Sequence, residues 1–508
     1  MFNFRKNKLK GYLELKNNES IFRLRKISQS LGEINFKISN SGYDYDRGLA
    51  VKQFLLNFVS GKRLNEGIIY SIGSKYSIKF LPIPYVYQKI LRKNDIQIST
   101  ISCSLSFLVF TFLLWIYGVF YFIKTFYNGF RNKKNLSNEK YFYFDKINRN
   151  NLPSPYDDGK SYDLITWFIN YFKIKDANIA FPVKNYVNNK YIGNNLYFKK
   201  EPFTIEINRT NFFKILFSSL KTILSSLISF KWSNWMLLME DIKVIFYNFS
   251  DNDKKNLTKY LVPNSISFYR PIWTYYAEKN GTEVISYFYS LSEEYTLEKN
   301  NFIHYNHLRL MNWPNIYVWD KYQKDIILSR ILHKCKIKIV GPIFFSTSDI
   351  DVEIKAKNIV SVFDIDPTAQ DLVFGMSTLM DFDANNPEIH IKFLNDIVKS
   401  IGKNYKIFLK PKRNRDKKYE VKSYINYVKS LEKSKLITIV DPSVSAFRLI
   451  SKSDIVISYP FTSTSNIAKS MGIKTAYYDP TGKINKNDNA RHGINLIGNM
   501  KELEKFFC

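Results

Sequence analysis

Apolar positions follow two regimes along this 508-residue chain. From about residue 260 onward, short apolar runs alternate with stretches whose apolar residues recur at helical spacing. That is the pattern of parallel α/β structure, where each buried strand is followed by a helix. SISFY (265–269), EVISYFY (283–289), NIYVW (315–319) and KIKIVG (336–341) read as strands, with PIWTYYAEKNG and KYQKDIILSRIL as helices between them. GPIFFSTSDIDVEIKAK reads as a crossing between two units. A second series follows: NIVSVF (358–363), YKIFLK (405–410), LITIV (436–440), DIVISY (454–459) and KTAYY (474–478). Its first long helix is set by Pro387 at a helix-start position and by Ile389, Phe393, Leu394, Ile397, Val398 and Ile401 along one face.

Before residue 260 the pattern is different. Ile101 to Ile123 is the most apolar segment, carries no charge, and reaches the ~20 residues that a helix needs to cross a bilayer. Arg92 and Lys93 precede it, and Lys124, Arg131, Lys133 and Lys134 follow it. Positive charge on both flanks fits poorly with a single span, because one flank would have to leave the cytoplasm. A span, a monotopic interfacial helix and a buried core helix are the three readings of this segment. Asn211 to Phe230 is apolar too, interrupted by Lys214 and Lys221. Its stripe of Phe213, Leu216, Phe217, Leu220, Ile223, Leu224, Leu227 and Ile228 is expected to face the core. Residues 131–160 read as a linker and 183–195 as an Asn-rich loop.

The expected organisation is therefore α/β, with two Rossmann-like domains behind an N-terminal membrane-associated region. Residues 1–160 form the basic N-terminal region with the 101–123 helix and the linker, 161–345 the first α/β domain, and 355–508 the second. Charge adds to this picture: 75 Lys+Arg against 45 Asp+Glu, a formal +30. Such a field suits nucleic acid, anionic lipid or a phosphorylated substrate. Abundant Lys, Asn, Ile, Tyr and Phe are also what an AT-rich genome produces, so part of the excess is solvated surface. No basic stretch combines with a recognition motif, so nucleic acid is not an expected partner. Cys103, Cys335 and Cys508 are too few and too far apart for a disulfide framework or a cysteine zinc site. The N-terminus lacks the apolar core of a signal peptide, so the bulk of the chain is expected in the cytoplasm.

Ligands of open parallel sheets bind beyond the carboxyl ends of the strands, so residues just after strands are the informative ones. In YPFTSTSNIAKSMG (459–472), Thr462, Ser463, Thr464 and Ser465 place hydroxyls beside the free N–H groups of a helix N-terminus. This is an anion site suited to a nucleotide phosphate, or, more plainly, a helix capped by Thr464 or Ser465. Pro460-Phe461-Thr462-Ser463 resembles the signature of the bacterial polysaccharide biosynthesis proteins called PFTS-motif proteins. Similar surroundings are VFDIDP (362–367), LKPKR (409–413), SDIVISYPFTSTS (453–465) and IVGP (339–342), with weaker likeness at 268–290. The resemblance covers roughly the second half of the chain. It implies a GT-B-like transferase of O-antigen or capsule synthesis, more distantly similar to sialyltransferases and Kdo transferases. Those carry a His-Pro motif and a Ser-Ser/Thr motif around a CMP donor; this chain has Lys410-Pro411-Lys412 where His-Pro would stand.

In LKPKRNR (409–415), Lys410, Lys412, Arg413 and Arg415 crowd a strand end, where cations can neutralise a donor phosphate and the leaving nucleotide; the plain alternative is an exposed basic turn. Asp364 and Asp366 follow the first strand of the second unit. D-x-D binds Mn²⁺ or Mg²⁺ in single-Rossmann transferases. Here, with so much α/β structure before it and the phosphate-type loop after it, the pair is assigned to donor ribose, base or loop ordering. No metal and no cofactor are expected. The acceptor needs a base, ordinarily a carboxylate from the first unit. Glu278 is the first candidate, then Glu240 and Asp241, with His304, His307 and His492 as alternatives. No P-loop, Ser-His-Asp pattern or H-E-x-x-H occurs.

The resulting expectation is transfer of a sugar from a nucleotide-sugar donor, with a CMP-linked nonulosonate among the options, to a growing lipid-linked surface glycan. The place is the cytoplasmic face of a bacterial inner membrane, held as a monotopic or single-span protein. A CDP-alditol-type phosphotransferase and a non-enzymatic, membrane-bound polysaccharide assembly protein are the rivals.

Overall fold

The computed structural model describes residues 45–56, 77–131, 140–147, 164–174, 177–180, 196–199, 209–263, 268–288, 307–342, 358–365, 367, 386–402, 404–411, 421–442 and 444–508, and scattered positions between 27 and 71. In the N-terminal region, α1 (Arg47–Phe54) is opened by Asp46, whose side chain accepts from the Leu49 N–H. It is followed by α2 (Tyr85–Lys93) and by the 32-residue α3 (Thr100–Arg131).

The first unit runs through β1 (Tyr141–Phe144), α4 (Leu164–Phe172), β2 (Ala177–Ala180), β3 (Leu196–Lys199), α5 (Arg209–Ile228), α6 (Trp232–Asn248), α7 (Asp251–Asn256) and β4 (Leu257–Pro263). It continues with α8 (Trp273–Lys279), β5 (Glu283–Tyr287), β6 (Asn315–Val318), α9 (Lys321–Arg330) and β7 (Lys336–Ile339). These strands form one parallel sheet in the order β3-β2-β1-β4-β5-β6-β7.

Two expectations change here. Residues 131–160 were expected to be linker, yet they contain β1, the strand that pairs with both β2 and β4. Tyr-Phe-Tyr-Phe is too short for its periodicity to register, and only pairing on both sides makes it a strand. The strand expected at 265–269 lies earlier, at β4, where Lys259 interrupts the apolar run and pairs with Glu283. Phe268 and Tyr269 are not in a strand, and 265–267 lie outside the described residues.

The second unit comprises β8 (Ile359–Phe363), α10 (Pro387–Ser400), β9 (Lys406–Lys410), α11 (Lys422–Lys433), β10 (Thr438–Ile439), α12 (Ala446–Ile450), β11 (Ile455–Ser458), α13 (Ser463–Ser470), β12 (Lys474–Tyr478), β13 (Asn495–Ile497) and α14 (Met500–Phe507). Its sheet is parallel, in the order β10-β9-β8-β11-β12-β13. As expected, Pro387 occupies the start of α10, and the Asn386 side chain caps it by accepting from the Glu388 N–H. Counted within each unit, both sheets follow the doubly wound strand order 3-2-1-4-5-6, with the first sheet adding a seventh strand. The order reverses between β1 and β4 in one, and between β8 and β11 in the other, which is where such sheets open a crevice.

The faces are covered differently. Tyr247, Trp273, Ala277 and Ile327 from α6, α8 and α9 pack on one face of the first sheet. Phe393, Ile397, Tyr424, Leu431, Leu503 and Phe507 from α10, α11 and α14 pack on one face of the second. The remaining faces meet: Leu164, Ile165 and Phe168 of α4 join Leu449, Ile450, Ile467 and Ala468 of α12 and α13 in one apolar cluster. Strand-end residues of both sheets, among them Phe144, Tyr287, Trp319 and Phe363, belong to the same cluster.

Helices α3 and α5 are long and apolar enough to cross a membrane by length and composition. They lie side by side, with Trp115 donating to Ser226 at 2.9 Å and Phe126 meeting Phe212 at 5.2 Å between ring centroids. The stripe of α5 expected to face the core largely faces outward: Phe213, Phe217, Leu220, Leu224, Leu227 and Ile228 are exposed. The packed face holds Ile215, Ser219, Ile223 and Ser226 instead, because small serines let helices approach closely. On α3, Ile101, Leu105, Leu113, Ile116, Phe120 and Ile123 are likewise exposed.

Candidate active site

At the carboxyl end of β11 the chain turns sharply into α13. Phe461 takes a left-handed φ of 63°, uncommon for a bulky residue, and its ring is buried against Tyr477. Thr462 occupies the N-cap position but makes no capping hydrogen bond: its hydroxyl donates back to the Tyr459 carbonyl at 3.0 Å. Thr464 lies 2.8 Å from the Ser458 hydroxyl and 3.2 Å from that of Thr462. The Ser465 hydroxyl donates to the Ala476 carbonyl at 3.3 Å and is turned into the sheet. Ser463 is half-buried. The four hydroxyls thus divide: Thr462 and Thr464 fasten the turn, Ser465 fastens the helix to β12, and Ser463 stands at the helix opening. The capping alternative for Thr464 or Ser465 is not what the geometry shows, and the first N–H groups of α13 receive no side-chain cap.

The turn has neighbours. Phe363, the last residue of β8, is in register with Ser458 on one side and Lys410 on the other. The Tyr459 N–H donates to the Phe363 carbonyl at 2.8 Å. Asp364, Lys410 and the PFTS turn therefore leave three adjacent strands at one edge. Asp364 is buried and accepts from the Tyr424 hydroxyl. Lys410 is buried too, its ammonium donating to the carbonyls of Pro411 (3.2 Å) and Pro442 (3.4 Å). Behind the turn, the buried His390 ring stacks on Tyr459 at 4.5 Å. Sequence reasoning missed His390 and Tyr424; His390 lies on the helix that Pro387 opens, but nothing local shows which side chains face the strand ends. Asp366, Lys412 and Arg413 lie outside the described residues, as do Arg415 and His304. Among the described residues, no three or more His, Cys, Asp or Glu side chains are grouped as metal ligands.

The three carboxylates expected to serve the acceptor lie elsewhere, and each is held by scaffold groups. Glu278 pairs with Arg270 at 2.5 Å, and that guanidinium stacks over Tyr275. Glu240 is buried, pairs with Lys243 at 2.6 Å and accepts from the Ile272 N–H at the start of α8. Burial would depress the Lys243 ammonium, but Glu240 and Tyr121 outweigh it and hold it above the usual lysine value. Asp241 receives both terminal nitrogens of Arg47, at 2.9 and 2.8 Å, joining α6 to α1. α6 and α8 pack on the face of the first sheet away from the second unit.

His492 is placed between the units. Its Nδ1 lies 2.8 Å from Oδ2 of Asp320, which also accepts from Asn466 of α13 at 3.3 Å. Since a carboxylate only accepts, Nδ1 carries the proton. Burial would raise the Asp320 carboxyl, but the His492 ring, the Gln323 N–H and Asn466 outweigh it and hold it below its ordinary value. The helix that follows the PFTS turn is thereby tied to the first unit.

Two parallel sheets of one strand order, sharing an apolar seam, with the PFTS turn at the carboxyl end of a central strand of the second, define a two-unit α/β protein of Rossmann type. The chain belongs to the family of polysaccharide biosynthesis PFTS motif proteins, whose profile matches residues 218–507. Among solved structures it is similar to the wall teichoic acid polymerase TagF, at 12% identity and a TM-score of 0.37, over 78% of this chain and 88% of that one. It is also similar to sucrose-phosphate synthase from Thermosynechococcus elongatus, at 7% identity and a TM-score of 0.35, over 67% and 81%. No curated protein sequence matches it.

Proposed function

We propose that this protein is a GT-B-like glycosyltransferase that moves a sugar from a nucleotide-sugar donor to a growing, lipid-linked surface polysaccharide. The observation that carries the reading is the convergence of Asp364, Lys410 and the PFTS turn at the crevice of the second sheet, within a family of polysaccharide biosynthesis proteins. The donor phosphate lies against the opening of α13, beside Ser463, with Lys412 and Arg413 proposed as its cations. A CMP-linked nonulosonate is the donor to test first. The acceptor approaches through the first unit, and the outward apolar faces of α3 and α5 rest the enzyme on the cytoplasmic face of the inner membrane.

A thermal-shift screen of UDP-, GDP-, CMP- and CDP-linked donors tests this. A ligand at 100 times its Kd stabilises by about 2.7 kcal/mol, so the true donor stands out. A panel without any stabilising member refutes the reading, and transfer of phosphate rather than sugar makes the protein a phosphotransferase. With the phosphate clamped by protein groups, transfer is expected to survive EDTA.

A further inference from the structure

The two sheets repeat one detail that none of the assignments above uses. β1 ends in Phe144-Asp145 and β8 ends in Phe363-Asp364. Each Phe belongs to the apolar cluster shared by the two units, and each Asp stands at the reversal of its sheet's strand order. A tyrosine hydroxyl donates to Oδ2 of each: Tyr260 to Asp145 at 2.6 Å, and Tyr424 to Asp364. Asp364 is buried, whereas Asp145 is half-buried. The Asp145 N–H is held by the Leu261 carbonyl at 2.9 Å, and the chain then leaves the sheet abruptly through Lys146, whose φ is 55°. A left-handed conformation is uncommon in a lysine and ends the strand directly after Asp145. Oδ1 accepts from the Lys146 N–H at 2.8 Å at an exposed position and has a second lone pair for another donor.

Among the described residues, Asp320 is the other carboxylate immediately beyond the carboxyl ends of the first sheet's strands. It is committed to the Gln323 N–H, His492 and Asn466. Glu240, Asp241 and Glu278 are bound to Lys243, Arg47 and Arg270, and Glu240 lies close enough to act electrostatically on Lys146 and Tyr260, the neighbours of Asp145. We infer that Asp145 is the general base that takes the acceptor's proton, with Tyr260 as the residue that positions its carboxylate. The inference rests on the transferase reading above.

In the step, the acceptor O–H bond breaks and its proton passes to Oδ1 of Asp145. The freed oxygen pair forms the bond to the donor's anomeric carbon. The bond from that carbon to the phosphate oxygen breaks, and its electron pair leaves on the nucleotide phosphate at the α13 opening. Lys146 follows Asp145 directly, and Lys243 of α6, paired to Glu240, also feels the Asp145 charge. These groups and Tyr260 are its charged and titratable neighbours.

The test uses the full chain in detergent, with the donor that the wild type accepts from the UDP-, GDP-, CMP- and CDP-linked panel and a lipid extract as acceptor. Asp145→Asn is expected to lower turnover ~10²–10⁴-fold, with donor Kd and Tm close to wild type. Tyr260→Phe is expected to lower kcat while leaving donor Kd unchanged, because the hydroxyl that orients the carboxylate is gone. Asp145→Asn turning over within tenfold of wild type, or an unchanged kcat in Tyr260→Phe, overturns the inference while leaving the function intact. If the wild type transfers nothing from any donor, the function reading falls and the base assignment falls with it.

Discussion

The two sheets are built on one plan and put to different ends. In the second unit, three groups at the strand ends are fastened: Asp364 by Tyr424, Lys410 by two proline carbonyls, and the PFTS turn by the Thr462 hydroxyl. In the first unit, the matching Asp145 accepts from the Tyr260 hydroxyl on one oxygen and from the Lys146 N–H, at an exposed position, on the other. The insertions differ as well. Between its third and fourth strands the first unit carries α5 and α6, and through them it reaches α3 and the exposed apolar surface. The second carries only α12 there, folded into the seam between the units. Under the proposed function, this contrast fits a small soluble donor held by the second unit and a lipid-tethered acceptor reached through the first.

The largest effect that would break this comparison is the exchange of roles between the two aspartates. Asp145→Asn should cost ~10²–10⁴-fold in turnover with little loss of stability, as expected of a base. Asp364→Ala should instead destabilise by ~1–3 kcal/mol, because it leaves the Tyr424 hydroxyl buried without its acceptor; urea denaturation reads this. If Asp364→Ala left stability untouched and removed only turnover, the roles would be reversed.

Within the PFTS turn the hydroxyls should separate. Ser463→Ala is expected to weaken donor binding by ~1–3 kcal/mol, and to combine non-additively with Lys412→Ala or Arg413→Ala if they hold one phosphate. Ser465→Ala should cost about 0.5–1.5 kcal/mol of stability and leave donor Kd alone, since its hydrogen bond runs to β12. Calorimetry on the single and double variants decides between them.

A smaller effect concerns the apolar surface. Placing lysines at Phe217 and Leu224 of α5 should move the protein from the membrane pellet toward the soluble fraction while keeping donor binding. Retention of both variants in the pellet would mean that α5 does not touch lipid.

The smallest effect is the pH dependence of the tie between the units. Asp320 has its folded pKa below the ordinary 3.8, so its contribution to stability is complete above that value. It is lost as pH falls below 3.8 and the carboxylate is protonated. Thermal melts between about pH 3 and pH 5 should show a shallower acid loss in Asp320→Asn than in the wild type.

Much of the second unit is legible in the sequence. NIVSVF, YKIFLK, DIVISY and KTAYY are strands, Pro387 opens a helix, and the four hydroxyls of 462–465 follow a strand and begin a helix. Such features are local: period, capping chemistry and strand-to-helix punctuation are written within a few residues. β1 and the outward stripe of α5 are not legible in that way. A four-residue strand is set by the partners that flank it, and which stripe of an apolar helix packs is set by where small side chains meet a neighbour. Asp145 became a candidate only once β1 and β4 were seen to be adjacent, although well over a hundred positions separate Asp145 from the strand that carries Tyr260. Sequence by itself determined the elements of the second unit and the family signature. Tertiary structure decided which carboxylate stands at the crevice and which apolar face remains uncovered, because pairing order and close packing are relations between distant segments that no local pattern contains.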